Sequence, residues 1–226
     1  MRENLKVNLF IICTAALLML SIYLVFFYAP VEKVMGIVQK IFYFHLSSAF
    51  TAFMSFFAAF VYSILYLYRK EAKWDIYAAS SVEIGVVFTT LSLISGSLWA
   101  KPIWNTWWTW DPRLTTALIL WLIYVAYLIL RISIEQESKK AAFSAVMAVI
   151  GFIDVPIVFM SARMLRTIHP VIIKSDSIGM ESSMVFTLLI SQLAFFSIWF
   201  LLFKFRTSML FLDKRIKKLE NQLAED

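Results

Sequence analysis

The chain has one cysteine, Cys13, and it lies inside an apolar run. A disulfide framework, a CxxC pair and a cysteine metal site are therefore excluded. Histidine is almost as scarce, with His45 and His169 the only two among 226 residues. Charge is sparse as well: Asp, Glu, Lys and Arg make up 16% of the chain, against 61% hydrophobic residues. Soluble domains carry more charge and less apolar character than this. The sequence also lacks internal repeats and low-complexity segments. What remains is an integral membrane protein, long enough for one compact bundle and too short for a large soluble domain as well. The net charge of +6 does not point to nucleic acid, because the basic residues are scattered between apolar segments, as membrane topology requires.

Apolar runs are what the chain has in quantity. A helix needs about 20 consecutive apolar residues to cross a bilayer, and six runs predict spans at 7–29, 46–68 (starting as early as Ile41), 76–98, 114–130, 141–162 and 184–203. The expected class is an all-α integral membrane protein with six transmembrane helices, comprising a membrane domain over 1–207 and a cytoplasmic helical tail over 208–226. The first span follows Arg2 and Lys6, as a signal peptide would. Its apolar core is too long for one and has no evident small-residue cleavage site, which predicts an uncleaved anchor. One set of loops and ends then holds fourteen basic residues: Arg2, Lys6, Arg69, Lys70, Lys73, Arg131, Lys139, Lys140, Lys204, Arg206, Lys214, Arg215, Lys217 and Lys218. The other set holds seven: Lys33, Lys40, Lys101, Arg113, Arg163, Arg166 and Lys174. The positive-inside rule places both termini in the cytoplasm. In the tail, Leu212, Ile216, Leu219 and Leu223 recur at helical spacing. That stripe suits a solvated extension, the inner membrane surface or a partner.

Five of the eight tryptophans fall between Trp99 and Trp110: Trp99, Trp104, Trp107, Trp108 and Trp110. Such a cluster can anchor a chain at a membrane surface or build a platform for a flat ligand. Topology decides between them, because it puts His45, the cluster and His169 in three external loops at one face. Two imidazoles can hold a haem iron from opposite sides. Zinc fits less well, since it wants three or four ligands and these loops offer no further histidine or cysteine. A porphyrin is broad, flat and apolar, with two propionates that Lys101, Arg113, Arg163 or Arg166 could pair with. Asp111-Pro112 has the form of a helix start, in which Asp caps the free N–H groups and Pro takes the first helical position. Arg113 in the first turn opposes the helix dipole and so favours a nearby anion. Asp154, beside Pro156 in an apolar span, reads equally as support for a kink and as a functional group. Glu83 lies near the cytoplasmic end of the third span.

The stretch from Gly96 to Thr115, with Trp99, Trp104, Trp107, Trp108, Trp110, Asp111, Pro112 and Arg113, resembles the tryptophan-rich WWD segment of haem-handling proteins of cytochrome c biogenesis. Phe42-Tyr43-Phe44-His45-Leu46 resembles the first histidine motif of these proteins, and Arg166-Thr167-Ile168-His169 stands in the place of the second. Size and six spans point to the CcmC family. Ala100 and Asn105 stand where that segment usually has glycine. The resemblance implies a carrier of haem b and not an enzyme. His45 and His169 would be the axial ligands, with the WWD segment (about 99–115) as the platform at the external face of a bacterial inner membrane. Haem would pass to a membrane-anchored CcmE-like chaperone. A small single-span CcmD-like protein and a CcmA/CcmB-like ABC transporter would take part. The alternative within the superfamily is a subunit of a cytochrome c synthase, although such proteins are generally larger and have more histidines. A respiratory b-type cytochrome would place its axial histidines inside spans, and a solute transporter would leave the tryptophans unexplained.

Overall fold

The computed structural model describes residues 2–164 and 180–225. Its regular elements are helices: α1 (Arg2–Tyr23), α2 (Ile41–Arg69), α3 (Ala72–Trp104), α4 (Pro112–Ser133), α5 (Glu137–Gly151), α6 (Asp154–Met164) and α7 (Ser182–Glu225). α1 continues as a π-helical turn over Leu24–Tyr28, and a 3₁₀ turn over Ile37–Lys40 leads into α2. Six helical stretches among the described residues are long and apolar enough to cross a membrane. α5 and α6 together make one of them, Glu137–Ser161.

Three boundaries differ from the sequence expectation, each for a local reason. α3 does not stop where hydropathy falls at Leu98; it runs on through Pro102 to Trp104 and ends at Asn105 in the left-handed region, φ 55°. Hydropathy marks where lipid ends, not where a helix ends. The fifth span is broken at residues 152–153, between Gly151 and the Pro156 turn, because proline removes a backbone donor from the helix. The tail is not a separate helix but the unbroken end of α7.

α2 and α3 form the central antiparallel hairpin. Lys70 turns the chain with φ 56°, and its N–H donates to the Tyr66 carbonyl at 2.8 Å. In lipid, apolar burial adds little to helix association, so close packing and polar contacts must supply it. Both are present. The Phe56 ring stacks on Tyr124 at 3.8 Å and 4°. Its other side lies against Gly85, where an added Cβ would come within 2.5 Å of the ring. Gly85→Ala is therefore expected to destabilise the bundle by about 1–3 kcal/mol, the usual cost of overpacking. Thermal unfolding in detergent measures it.

Polar contacts join the remaining helices. Ser55 Oγ donates to the Ser81 carbonyl at 2.6 Å and accepts from Trp199 Nε1 at 2.8 Å, which ties α2 to α3 and α7. Ser21 Oγ donates to Ser191 Oγ at 2.9 Å between α1 and α7. Trp121 Nε1 donates to Thr90 Oγ1 at 2.8 Å between α4 and α3. At the end of the bundle away from the Trp99–Trp110 cluster, Arg131 grips Asp75 through two bonds of 2.6 and 3.0 Å. Arg206 grips Glu83 in the same bidentate way.

Candidate functional site

His45 is helical. It is the fifth residue of α2, which begins at the earlier expected start, Ile41, so His45 stands in the first turns of the helix and not in the loop before it. Its Nδ1 lies 3.0 Å from the Ser92 carbonyl and 3.3 Å from Ser95 Oγ. A carbonyl only accepts, so Nδ1 carries the proton and Nε2 the lone pair. Metal-binding histidines are oriented in the same way, with the second ring nitrogen donating to a carbonyl or carboxylate. Gly96 makes this approach possible. A Cβ there would lie 3.0 Å from His45 Cε1 and 3.4 Å from Nδ1. The imidazole also tilts against Trp99, with ring centroids 5.9 Å apart.

His45 and Gly96 border a partly open cavity. α2 contributes His45, Ala49, Ala52 and Phe53, and α3 lines the opposite wall from Thr89 to Ala100. Trp104 and Trp108 form part of the rim, and Arg113, Leu114, Ala117 and Leu120 of α4 close a third side. The walls are mostly apolar and the charged group on them is Arg113.

The tryptophan cluster divides in two. Trp99 and Trp104 belong to α3, and Trp99 is buried against Phe42 and Trp104 at centroid distances of 6.0 and 6.2 Å. Trp99, Trp104 and Trp108 line the cavity. Trp107 and Trp110 do not; they are 55% and 76% exposed, with Trp110 edge-on to Trp108 at 6.0 Å. Asn105 turns the chain at the end of α3, and Lys101 Nζ donates to its carbonyl and its Oδ1 at 3.3 and 3.2 Å. Asparagine tolerates this left-handed conformation better than most residues with a Cβ. Ala100, by contrast, is an ordinary helical residue on the cavity wall.

Asp111 is the N-cap of α4, and its Oδ1 accepts from the Arg113 N–H at 3.0 Å. The cap is thus real. His169, Arg166, Lys174 and the side chain of Arg163 lie outside the described residues. Asp154 is 8% exposed and does not line the cavity, whereas Val158, one turn further along α6, does. Among the described residues, no group of three or more His, Cys, Asp or Glu side chains could hold a metal ion. The described part of the site offers a metal one imidazole in an aromatic cleft. That donor set suits an ion that brings its other ligands in a macrocycle. Gly96, which lets His45 pack against α3, is a cavity-lining residue that sequence reasoning did not single out.

The family described as CcmC, Heme exporter protein C, matches residues 3–222. A ccmC-like mitochondrial protein of cytochrome c biosynthesis from Marchantia polymorpha is 28% identical over 195 residues, covering 86% of this chain and 83% of that protein. Heme exporter protein C of Rhodobacter capsulatus is 36% identical over 126 residues, 56% of this chain and 52% of that protein. Heme exporter protein C of Bradyrhizobium diazoefficiens is 31% identical over 169 residues, 74% of this chain and 64% of that protein. Against these two bacterial relatives the match spans about half to two thirds of their length. The family match covers nearly the whole chain, and the chain belongs to the CcmC family.

Proposed function

We propose that this protein is a haem carrier of cytochrome c biogenesis, with haem b as its cargo. His45 and His169 would be the axial ligands, and Trp99, Trp104 and Trp108 would flank the porphyrin. Arg113 would face a propionate. The observation that carries the reading is His45 itself. The Ser92 carbonyl fixes its proton on Nδ1, and it stands on the wall of a largely apolar cavity lined by Trp99, Trp104 and Trp108. Histidine ligation supplies reversible iron binding, which suits a cargo that must be handed on. Trp107 and Trp110, turned away from the cavity, offer aromatic surface to the acceptor. That acceptor would be a membrane-anchored haem chaperone of the CcmE type, with a CcmD-like small protein and a CcmA/CcmB-like transporter in the same assembly. The basic-residue asymmetry supports cytoplasmic termini and a haem site at the external face of the inner membrane.

The test is the absorption spectrum of protein purified from haem-replete cells, wild type against His45→Ala and His169→Ala. Copurified haem in the wild type, with loss or a spectral shift in both variants, is the expected result. A haem-free wild type would overturn the reading. Coexpression with a chaperone of this type then separates delivery from direct attachment to apocytochrome, because a carrier transfers haem to the chaperone and a synthase subunit transfers it to the apocytochrome.

A further inference from the structure

α7 is one helix of 44 residues. At about 1.5 Å per residue it is roughly 66 Å long, twice the ~30 Å hydrocarbon thickness of a bilayer. Its last ring contact with the bundle is Phe211 on Tyr77, at 5.8 Å between centroids. From residue 211 to 224 every side chain is exposed. Because the helix is unbroken, the tail leaves the bundle along its own axis and does not turn to lie on the membrane surface.

The exposed apolar residues of this end keep a heptad. Met209, Leu212, Ile216, Leu219 and Leu223 alternate in steps of three and four, and all are 46–77% exposed. Met209, Ile216 and Leu223 take the a positions, and Leu212 and Leu219 the d positions. Ile216, the β-branched residue among the a positions, with leucine at both d positions is the combination that favours two strands. The flanking charges select the orientation. Asp213 and Glu220 fall at e, Arg215 and Gln222 at g. In a parallel pair each g residue faces the e residue of the next heptad on the other strand, so Arg215 meets Glu220. An antiparallel pair would set acid against acid along the e positions. Two copies inserted in one membrane with the same topology are parallel. The lysines at 214, 217 and 218 fall at f, b and c, away from the seam, and Lys217 pairs with Asp213 of its own helix at 3.4 Å.

We propose that residues 209–223 of α7 pair with the same residues of a second copy of this chain, as a parallel two-stranded coiled coil registered by Arg215 against Glu220 of that copy. A free helix of about 15 residues is marginal in water. Anchoring both strands in one membrane raises their effective concentration and offsets that weakness.

Cross-linking of the full-length chain in native membranes tests this, on a Cys13→Ala background. Leu219→Cys, on the seam, is expected to give a disulfide-linked species of twice the chain mass. Asn221→Cys, at an f position, gives several-fold less. In the Leu219→Cys chain, Arg215→Glu or Glu220→Arg alone lowers the yield, and the two together restore it. All four positions are solvent-exposed in the monomer, so expression level and monomer stability stay constant across the set. Equal yields at 219 and 221, monomer alone, an adduct to a different protein, or a double charge swap that fails to restore the dimer would each overturn the proposal.

Discussion

Gly96→Leu is expected to strip haem from the purified protein as fully as His45→Ala does, while the bundle stays helical. The Gly96 backbone lies so close to His45 that even a methyl group would sit 3.0 Å from the imidazole Cε1. An isobutyl group takes the volume of the ring and displaces it from the Ser92 carbonyl. The imidazole then loses both its position and the bond that fixes its tautomer. Gly96→Ala is the finer probe. The ring has to give by only a few tenths of an ångström, and loss of an outer-shell constraint of this kind typically lowers metal affinity by about 10–100-fold. The same substitution removes a glycine from a helix interior, which favours the helix by about 0.5–1 kcal/mol. Haem affinity should therefore fall while the melting temperature of haem-free protein holds or rises. A titration with hemin, paired with a thermal melt, reads both. If the melt falls in step with haem binding, Gly96 acts through folding and not through His45.

Gly96 also shows where sequence reasoning reached its limit. The histidine, the tryptophans and the Asp111 cap are legible because their chemistry is local or unusual. The need for glycine at 96 comes from a side chain on another helix, and nothing near it in sequence signals that. The cavity walls were equally silent, since Ala49, Ala52 and Ala117 read as ordinary apolar residues until α2, α3 and α4 are set side by side. The tryptophans could be counted but not sorted. Which of them face the cavity follows from α3 persisting to Trp104 and from the left-handed turn at Asn105. Hydropathy placed all six spans, yet it misjudged the ends of α3 and α7, because helices continue where lipid does not. The charge pattern predicts a topology by counting cations. Two of those cations, Arg131 and Arg206, turn out to be held by Asp75 and Glu83, whose partners lie far away in sequence.

The first of those pairs carries the second large effect. Asp75→Ala is expected to destabilise the protein by about 3 kcal/mol, the lower end of what breaking a buried ion pair costs. The lower end applies because the side chains of Arg131 and Asp75 retain 18% and 11% exposure, so water can partly solvate the abandoned charge. The geometry is strong nonetheless. Arg131 Nη1 donates to Asp75 Oδ1 and Nη2 to Oδ2, and Arg131 also lies 5.9 Å from the Tyr127 ring centre. Arg131→Ala should cost a similar amount, by leaving Asp75 alone near the start of α3. The double variant should cost less than the sum of the two, and the shortfall is the coupling of the pair, on the order of 0.5–3 kcal/mol for residues in direct contact. Equal additive losses would mean that the two charges stabilise the bundle independently. Haem gives the control. Arg131 stands at the end of α4 opposite Arg113, 18 residues and about 27 Å along the helix at 1.5 Å per residue. A protein weakened at Asp75 but still folded should keep the wild-type haem spectrum. One altered at Gly96 keeps its fold and loses the spectrum. The two substitutions thus separate what holds the bundle together from what holds its cargo.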